Sequence, residues 1–169
     1  MDEIAAALEP EIPRLRRFAY SLTRNGATAD DLVQDTLERA LARWHLRRRH
    51  GSVRAWLFAI QRNLFLDSLR QRGRRGEHVG IEALQHVPAG DDMQQASDGL
   101  RDAAAGLEGL PEEQRSVLLL VVVEGLSYEE TAEVLGVPLG TVMSRLSRAR
   151  EKLRSYMKHG RGHVLRVVR

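Results

Sequence analysis

Apolar residues recur at intervals of three and four along most of this chain, and the alternation typical of β-strands is almost absent. Three such stretches, at about residues 12–22, 28–44 and 53–70, each place their apolar residues on one face of a helix. They predict one helical bundle, and the sequence as a whole predicts an all-α protein. The residues expected to point inward are Leu15, Phe18, Ala19 and Leu22, then Val33, Leu37, Ala40, Leu41 and Trp44, then Val53, Trp56, Leu57, Ile60 and Leu64.

Local signals predict where these helices begin and end. Asn25-Gly26 is expected to end the first helix, and Thr28 is expected to open the second because Thr-Ala-Asp-Asp is similar to a capping box. Ser52 is predicted to cap the third helix, which is expected to fray from Arg70 onward among Arg and Gly residues.

The periodicity disappears between residues 76 and 98, where Gly, Pro, His, Asp and Gln predominate. This composition is typical of a flexible linker. We therefore predict two small domains, an N-terminal bundle at 1–76 and a second helical domain at 100–158, with a linker at 77–99 and a basic tail at 159–169. The apolar run 117–123 could form a strand, but it follows Pro111 and has no second strand with which to pair, so a helix is predicted.

Composition excludes several classes of protein. The 169 residues are 43% hydrophobic, which is enough for packed cores, yet no apolar run approaches the roughly 18 residues that span a bilayer. The sequence has no cysteine, its six histidines are scattered, and it lacks a Gly-rich phosphate loop. We expect no enzymatic activity, no metal and no cofactor. The acidic N-terminus lacks the features of a secretory signal, so a cytoplasmic location is expected.

Charge is segregated along the chain. Residues 43–75 contain ten arginines and one acid, Asp67, and residues 145–169 contain nine Lys or Arg and one acid, Glu151. Between them, residues 91–133 contain eleven acids and two bases. Two separate basic surfaces predict two contacts with a polyanion, most simply nucleic acid, although solvated helix faces remain an alternative.

Residues 127–153 predict a helix-turn-helix, with the turn at Gly136-Val137-Pro138. One face of the second helix is apolar, at Val142, Leu146, Ala149 and Leu153, and the other is polar. This polar face begins with short hydroxyl side chains, which can contact base edges in a major groove, and continues with long cations, which can contact phosphates. The alternative is that the helix belongs to a small bundle and turns this face to solvent. The polar face consists of Thr141, Ser144, Arg145, Arg148 and Lys152.

The N-terminal bundle carries an acidic stripe made of Asp31, Gln34, Asp35 and Glu38 on one helix face. The helix dipole accounts for acids at the start of a helix, including Asp30 and Asp31, but not for Glu38. The stripe therefore predicts a basic protein partner. The loop 45–52 joins cations to a flexible tip that could hold a single strand, and the flanking residues Trp44 and Trp56 are interpreted as core.

Three segments in this order resemble a known family. They are residues 30–36 (DDLVQDT), residues 54–67 with Arg-Ala-Trp-Leu at their start, and residues 125–146. Together they are similar to bacterial extracytoplasmic-function sigma factors, the small two-domain initiation subunits of RNA polymerase. Residues 17–23 are also similar to the general-stress subgroup of that family.

The resemblance implies a role for each surface. Asp31, Gln34 and Asp35, with Glu38 beside them, match the segment that binds the clamp helices of core RNA polymerase. The 45–52 loop and its surroundings correspond to the region that captures an unstacked base of the melted minus-ten element. The residues expected at the minus-ten element are Arg47, Arg48, Arg49, Arg54, Arg62, Asn63 and Arg70.

The polar face of the helix-turn-helix matches the part that reads the minus-thirty-five element of promoter DNA. Met143 is a departure, because the family often has Lys or Arg at that position. An anti-sigma factor is a further partner that the resemblance implies.

Two other functions compete with the sigma-factor interpretation. An autonomous helix-turn-helix repressor or activator would use the bundle to dimerise or to sense a ligand, but it needs neither the acidic stripe nor the second basic surface. A sigma mimic that sequesters regulators has no need for Arg145, Arg148 and Lys152 on one face.

Overall fold

The structure is a computed structural model that describes residues 2–47, 51–74 and 98–159, and every regular element in these ranges is helical. The prediction of an all-α protein is confirmed. Arg48 and Arg49, the predicted linker up to residue 97 and the predicted tail from residue 160 lie outside the described residues. None of the described helices is both long enough and apolar enough to cross a membrane.

The helices follow one another in two groups. In the first are α1 (Asp2–Leu8), a 3-10 turn (Glu9–Glu11), α2 (Ile12–Thr23), α3 (Gly26–Arg43), a second 3-10 turn (Trp44–Leu46) and α4 (Val53–Arg74). In the second are α5 (Asp98–Glu108), α6 (Glu112–Leu118) with a π-helical extension (Leu119–Val123), α7 (Tyr128–Leu135) and α8 (Leu139–His159). Of the two compact units into which the chain divides, one holds α1 to α4 with residues 129–137, and the other holds α5, α6 and α8.

The core of the first unit forms where α2, α3 and α4 pack on one another. Leu15 and Phe18 of α2 are fully buried, and the Phe18 ring meets the ring of Phe58 edge to face at 5.2 Å. Buried Gln61 donates from Nε2 to the carbonyl oxygen of Leu15 at 3.1 Å, which satisfies a polar group inside the core. The inward face predicted for α2 is confirmed.

The junction between α2 and α3 differs from the prediction. Helix α2 ends at Thr23, Arg24 adopts a left-handed conformation with φ of 55°, and Asn25 caps a helix that already begins at Gly26. The Asn25 side chain accepts hydrogen bonds from the backbone N–H and the hydroxyl of Thr28, at 2.9 and 3.2 Å. Because Asn25 satisfies these donors, the prediction that Thr28 opens the helix is wrong.

The buried face of α3 matches the predicted one only in part. It consists of Ala29, Leu32, Val33, Thr36 and Ala40, so Val33 and Ala40 are buried as predicted. Leu41, which follows Ala40 by about 100° of helical rotation, is 47% exposed. Thr36 tolerates burial because its hydroxyl donates to the Leu32 carbonyl oxygen at 2.6 Å. The expectation that Leu41 points inward is therefore wrong.

Helix α4 begins as predicted and extends further than predicted. Ser52 Oγ accepts a hydrogen bond from the Ala55 N–H at 3.1 Å, in agreement with its predicted role as cap. The helix continues to Arg74 instead of fraying at Arg70. Side-chain bonds one turn apart, from Arg70 to Asp67 at 3.1 Å and from Arg72 to Ser68 at 3.3 Å, stabilise these last turns.

In the second unit, α8 packs on α6 and on α5. The apolar run that could have been a strand is helical, and its first four residues, 117–120, are buried. Helix α5 was not predicted as a separate element. It approaches α8 closely at Gly106, where an added Cβ would lie 2.6 Å from Leu153 Cδ1 and 3.0 Å from Tyr156 Cδ1.

We predict that Gly106→Ala lowers the free energy of unfolding, because the new methyl group overpacks the α5–α8 contact by about 1–3 kcal/mol, which outweighs the roughly 1 kcal/mol that alanine gains over glycine in a helix. Gly140→Ala is the matched control, since Gly140 lies in the first turn of α8 with open space around its Cα. It should be neutral or stabilising, because alanine favours the helix. Urea unfolding followed by circular dichroism measures both; equal midpoints for the two variants would contradict the close-packing account.

Candidate protein and nucleic-acid interfaces

The four residues of the acidic stripe lie on the exposed side of α3. Asp31, Gln34, Asp35 and Glu38 are all exposed, and Gln34 Nε2 donates to Glu38 Oε1 at 3.0 Å. Because the helix begins at Gly26, its first turn contains no acid. The helix dipole therefore does not account for the stripe, and the dipole explanation of the first two acids is wrong.

Asp30, which precedes the stripe, has a different role. Its carboxylate pairs with Arg16 of α2, with Arg16 Nε 2.7 Å from Oδ1 and Arg16 Nη2 2.9 Å from Oδ2. The pair links α2 to α3 on an exposed surface. The carboxylates of the stripe itself thus remain separate from this contact.

Helices α3 and α4 are antiparallel, and a cleft runs between them. At one end it forms a cavity of about 280 Å³ bordered by Asp31 and Asp35 on one side and by Phe65, Ser68 and Arg72 on the other. Two carboxylates of the acidic stripe therefore border a recess into which a side chain from a partner can enter.

The other end of the same cleft is basic. A cavity of about 400 Å³ is lined by Arg39 and Arg43 of α3 and by Asn63, Asp67 and Arg70 of α4. Asn63 and Arg70 were predicted at the minus-ten element. Arg39 and Arg43 were not predicted as site residues; the antiparallel arrangement of the two helices is the signal that could have found them, because it places the last turns of α3 beside the middle of α4.

Arg54, another predicted minus-ten residue, is engaged within the first unit. It makes a bidentate ion pair with Glu11, from Nε to Oε2 at 2.9 Å and from Nη2 to Oε1 at 3.2 Å. Its side chain is 33% exposed and that of Glu11 is 13% exposed. This pair ties the turn before α2 to the first turn of α4.

An aromatic pair joins the 3-10 turn after α3 to the first turn of α4. The rings of Trp44 and Trp56 meet edge to face with centroids 6.0 Å apart, and both residues are half-buried. The Arg47 guanidinium lies 4.8 Å from the centroid of the Trp44 ring and donates to the Gly51 carbonyl oxygen at 3.2 Å. Arg62, also predicted at this element, is half-buried on α4.

The turn before α8 is short. Gly136 has a φ of 63°, a conformation that glycine adopts without strain, and the Pro138 carbonyl accepts from the N–H groups of Thr141 and Val142. Only residues 136–138 separate α7 from α8, the spacing of a helix-turn-helix.

Helix α8 presents a polar face beside its buried one. Val142, Leu146 and Ala149 are buried as predicted. The predicted reading residues differ in exposure: Ser144, Arg148 and Lys152 are exposed, whereas Thr141 and Arg145 are partly covered.

Arg145 makes a contact that the sequence did not suggest. Its Nη2 lies 3.2 Å from Oε2 of Glu113 on α6, and its side chain is 20% exposed while that of Glu113 is 65% exposed. Arg145, the predicted base reader, is therefore held at the α6–α8 contact by an ion pair whose glutamate is mostly exposed to solvent.

Among the described residues, no group of three or more His, Asp or Glu is arranged to hold a metal ion.

Comparison with known proteins identifies both halves of the chain. The profile described as Sigma-70, region 4 matches residues 101–153, and the profile described as the Sigma2 domain of PhyR matches residues 8–61.

Whole-length relatives extend this match. The ECF RNA polymerase sigma factor EcfG of Rhodopseudomonas palustris is 42% identical over 155 residues, which cover 90% of this chain and 81% of the relative. SigE of Mycolicibacterium smegmatis is 42% identical over 86% of this chain and 58% of its own length. The solved structure of the sigma factor RpoE with the anti-sigma factor NepR, from Bartonella quintana, aligns with a TM-score of 0.79 and 37% identity over 95% of this chain and all of that one.

The two profiles and the whole-length relatives define a protein that recognises promoters as part of the bacterial transcription machinery. The chain belongs to the extracytoplasmic-function RNA polymerase sigma factors. Sigma factors direct RNA polymerase to promoters and are not enzymes.

We predict that Arg54→Met and Glu11→Gln each lower the free energy of unfolding by about 1–3 kcal/mol, because each removes one side of the bidentate ion pair between two partly buried side chains. The double variant should lose less than the sum of the two, and urea unfolding of all four proteins gives this coupling directly. Additive losses would show that the pair does not stabilise the first unit.

Proposed function

We propose that this chain is an alternative sigma factor that binds core RNA polymerase and brings it to a specific set of promoters. The observation that carries the proposal is the opposite charge of the two ends of the α3–α4 surface, an exposed acidic stripe and a basic cleft. A subunit that must hold both a protein and a polyanion needs both, whereas a repressor needs neither. Its proposed domains are 1–76 and 100–158.

The acidic stripe is the proposed contact with the polymerase clamp helices. Its exposed carboxylates on α3 complement a basic protein surface, and their negative charge keeps DNA phosphates away from this side. The recess bordered by Asp31 and Asp35 supports the proposal because it offers a long cationic side chain two carboxylates at once.

The polar face of α8 is the proposed reader of the minus-thirty-five duplex. Ser144 lies near the start of the helix, and Arg148 and Lys152 follow on the same side. Arg145 is the residue best suited to a bidentate contact with guanine, since a guanidinium matches the two acceptors of that base.

The basic side of the first unit is the proposed contact with the melted minus-ten strand. The guanidinium of Arg47, which lies beside the Trp44 ring, supports this role, because guanidinium planes stack on unpaired bases. Arg54 contributes indirectly, by fixing the start of α4 through Glu11.

Further partners follow from the family. RpoE of Bartonella quintana was crystallised with the anti-sigma factor NepR, which supports an anti-sigma factor as a partner here too. The resemblance of residues 17–23 supports membership in the general-stress subgroup. We infer that the chain acts in the cytoplasm and performs no catalysis of its own, because phosphoryl transfer belongs to the polymerase.

Transcription with purified components tests the proposal. Core polymerase is incubated with fragments of chromosomal DNA, with and without the chain, and the new start sites are mapped. The expected result is a set of start sites that share sequence at both promoter elements and appear only with the chain present. Specific nanomolar binding to duplex DNA by the chain alone, without any change in start sites, would favour the autonomous repressor instead.

We predict that Asp35→Arg weakens binding to core polymerase by tenfold or more, because charge reversal places a cation against a basic surface, while thermal stability stays within about 0.5 kcal/mol. Glu9→Arg makes the same charge change on the exposed turn before α2 and serves as the control. Titration of core polymerase with labelled chain measures both. Equal affinity for the two variants would remove the stripe from the polymerase interface.

We predict that Arg145→Ala reduces promoter binding by about 1–3 kcal/mol in a way that depends on the upstream sequence, as expected for a base contact. Lys152→Ala should weaken binding to all upstream sequences alike, as expected for a phosphate contact. Competition among promoter variants, with holoenzyme containing each mutant, separates the two patterns. The same sequence profile for both would contradict the division of roles.

A further inference from the structure

The positive charge of this chain is carried almost entirely by arginine. Of its 26 basic residues, 24 are arginines and two are lysines, Lys152 and Lys158. Both lysines lie in the C-terminal half of α8, and both are exposed. The basic surface of the first unit, which is proposed to hold the minus-ten strand, therefore carries its positive charge without any lysine.

Lysine and arginine differ in the chemistry that can remove their charge. A guanidinium group keeps its proton in proteins, whereas a lysine amine that has lost its proton attacks the carbonyl carbon of an acyl donor. Acylation of the amine then removes its positive charge. An acyl donor can therefore neutralise the two lysines of α8 and leaves the arginines of every other surface charged.

The surroundings of Lys152 favour a particular class of acyl donor. Within the part of the chain that the structure describes, Lys152 makes no ion pair and no hydrogen bond. Arg148, one helical turn earlier, is exposed beside it and has no carboxylate partner in the same ranges. A guanidinium group binds a phosphate through two parallel hydrogen bonds. An acyl phosphate that binds Arg148 therefore presents its acyl group beside the Lys152 amine.

Lys158 provides an internal comparison. It follows Arg154 by four residues, as Lys152 follows Arg148, and both members of this second pair are exposed. Six residues separate the two lysines, which places Lys158 about 9 Å further along the helix and about 120° around its axis. Lys158 thus has a similar arginine neighbour but lies on a different side of α8.

We propose that Lys152 is an acylation site, that Arg148 binds the phosphate of an acyl phosphate there, and that acylation weakens the contact with the minus-thirty-five duplex. The unprotonated Nζ of Lys152 attacks the carbonyl carbon of the donor. A C–N bond forms, the C–O bond to phosphate breaks, phosphate leaves, and the proton of the nitrogen passes to solvent. The inference rests on the proposed function, in which Lys152 contacts a DNA phosphate.

Acylation of this kind acts on one interface of the three. The acidic stripe and the basic surface of the first unit contain no lysine, so their charges stay as they are. The acylated chain should still bind core polymerase and the melted minus-ten strand. Promoters that depend on the upstream element should lose most, so the modification changes the choice among promoters and leaves the amount of holoenzyme unchanged.

The first part of the test follows the modification itself. The full chain is incubated with acetyl phosphate, the reagent is removed, and the acetylated positions are located by peptide mass mapping. Both lysines should be acetylated. Arg148→Gln should slow acetylation of Lys152 roughly two- to fivefold, the effect of one exposed ion pair, and leave that of Lys158 unchanged. Arg154→Gln is the matched control and should slow only the acetylation of Lys158.

The second part measures promoter binding by holoenzyme assembled from core polymerase and the treated chain. The probe is a duplex from a promoter mapped by the transcription assay. Acetylation should weaken binding about three- to tenfold and reduce the salt dependence of log K by about 0.9, the value for one phosphate contact on duplex DNA. Affinity for core polymerase, and for a single strand with the non-template minus-ten sequence, should stay as in the untreated chain.

Variants that cannot be acetylated assign the effect, and each is compared with its own untreated form. Treatment of Lys152→Arg should leave its promoter affinity unchanged, because arginine is not acylated. Treatment of Lys158→Arg should cause the same loss as in the wild type. The variant with both substitutions contains no lysine, so its treated and untreated forms should bind equally and exclude a contribution from other amines.

Three results would overturn the inference alone: acetylation of Lys158 without Lys152, an unchanged rate at Lys152 in Arg148→Gln, or a treated Lys152→Arg holoenzyme that still loses affinity. Loss of core binding by the treated wild-type chain would also overturn it, because the effect would not be confined to α8. In each case the untreated holoenzyme still selects promoters. An untreated wild-type holoenzyme that selects no promoter would overturn the proposed function itself.

Discussion

The buried core shared by α2, α3 and α4 is the constraint on which the first unit depends. The Phe18–Phe58 ring contact and the hydrogen bond from Gln61 to the Leu15 carbonyl lie in this core, and each phenylalanine contributes about 1.5–3 kcal/mol by burial. Helix α3 packs on both of the other helices and buries one face against them. The directions of its remaining faces follow from that choice, so the core determines which charges meet a partner.

Helix α3 then carries both signs of charge on one backbone. Its 18 residues carry buried positions along one side, acids along the opposite side, and arginines toward the C-terminal end where α4 passes. Arg39 lies between the acidic and the basic residues of the helix, because it borders both the cavity beside the acidic stripe and the basic cavity. The acids of the stripe end at Glu38 and the exposed arginines follow at Arg39 and Arg43, so the two signs of charge are separated along the helix axis.

The features that could be predicted from the sequence are those that depend on local periodicity. The buried face of α2 and the apolar face of α8 were correct because their apolar residues repeat over three turns. The start of α3 was predicted wrongly, because Asn25, three residues before Thr28, is an equally good cap and its side chain accepts from the Thr28 N–H. The ion pair of Arg54 was missed because its partner, Glu11, is 43 residues away in the chain. The basic cleft was missed for the same reason, since it exists only once α3 and α4 lie side by side.

The ion pair between Arg145 and Glu113 bears on how the proposed reader discriminates. Because the Glu113 side chain is mostly exposed, the pair contributes only about 0–1 kcal/mol, less than the roughly 1–3 kcal/mol of a bidentate contact with guanine. A guanine at the matching position can therefore displace Glu113 from the Arg145 guanidinium. A mismatched base cannot, because its contact with Arg145 contributes less free energy than the ion pair. Breaking the pair subtracts the same small free energy from every base contact, so only a base whose contact exceeds it binds Arg145.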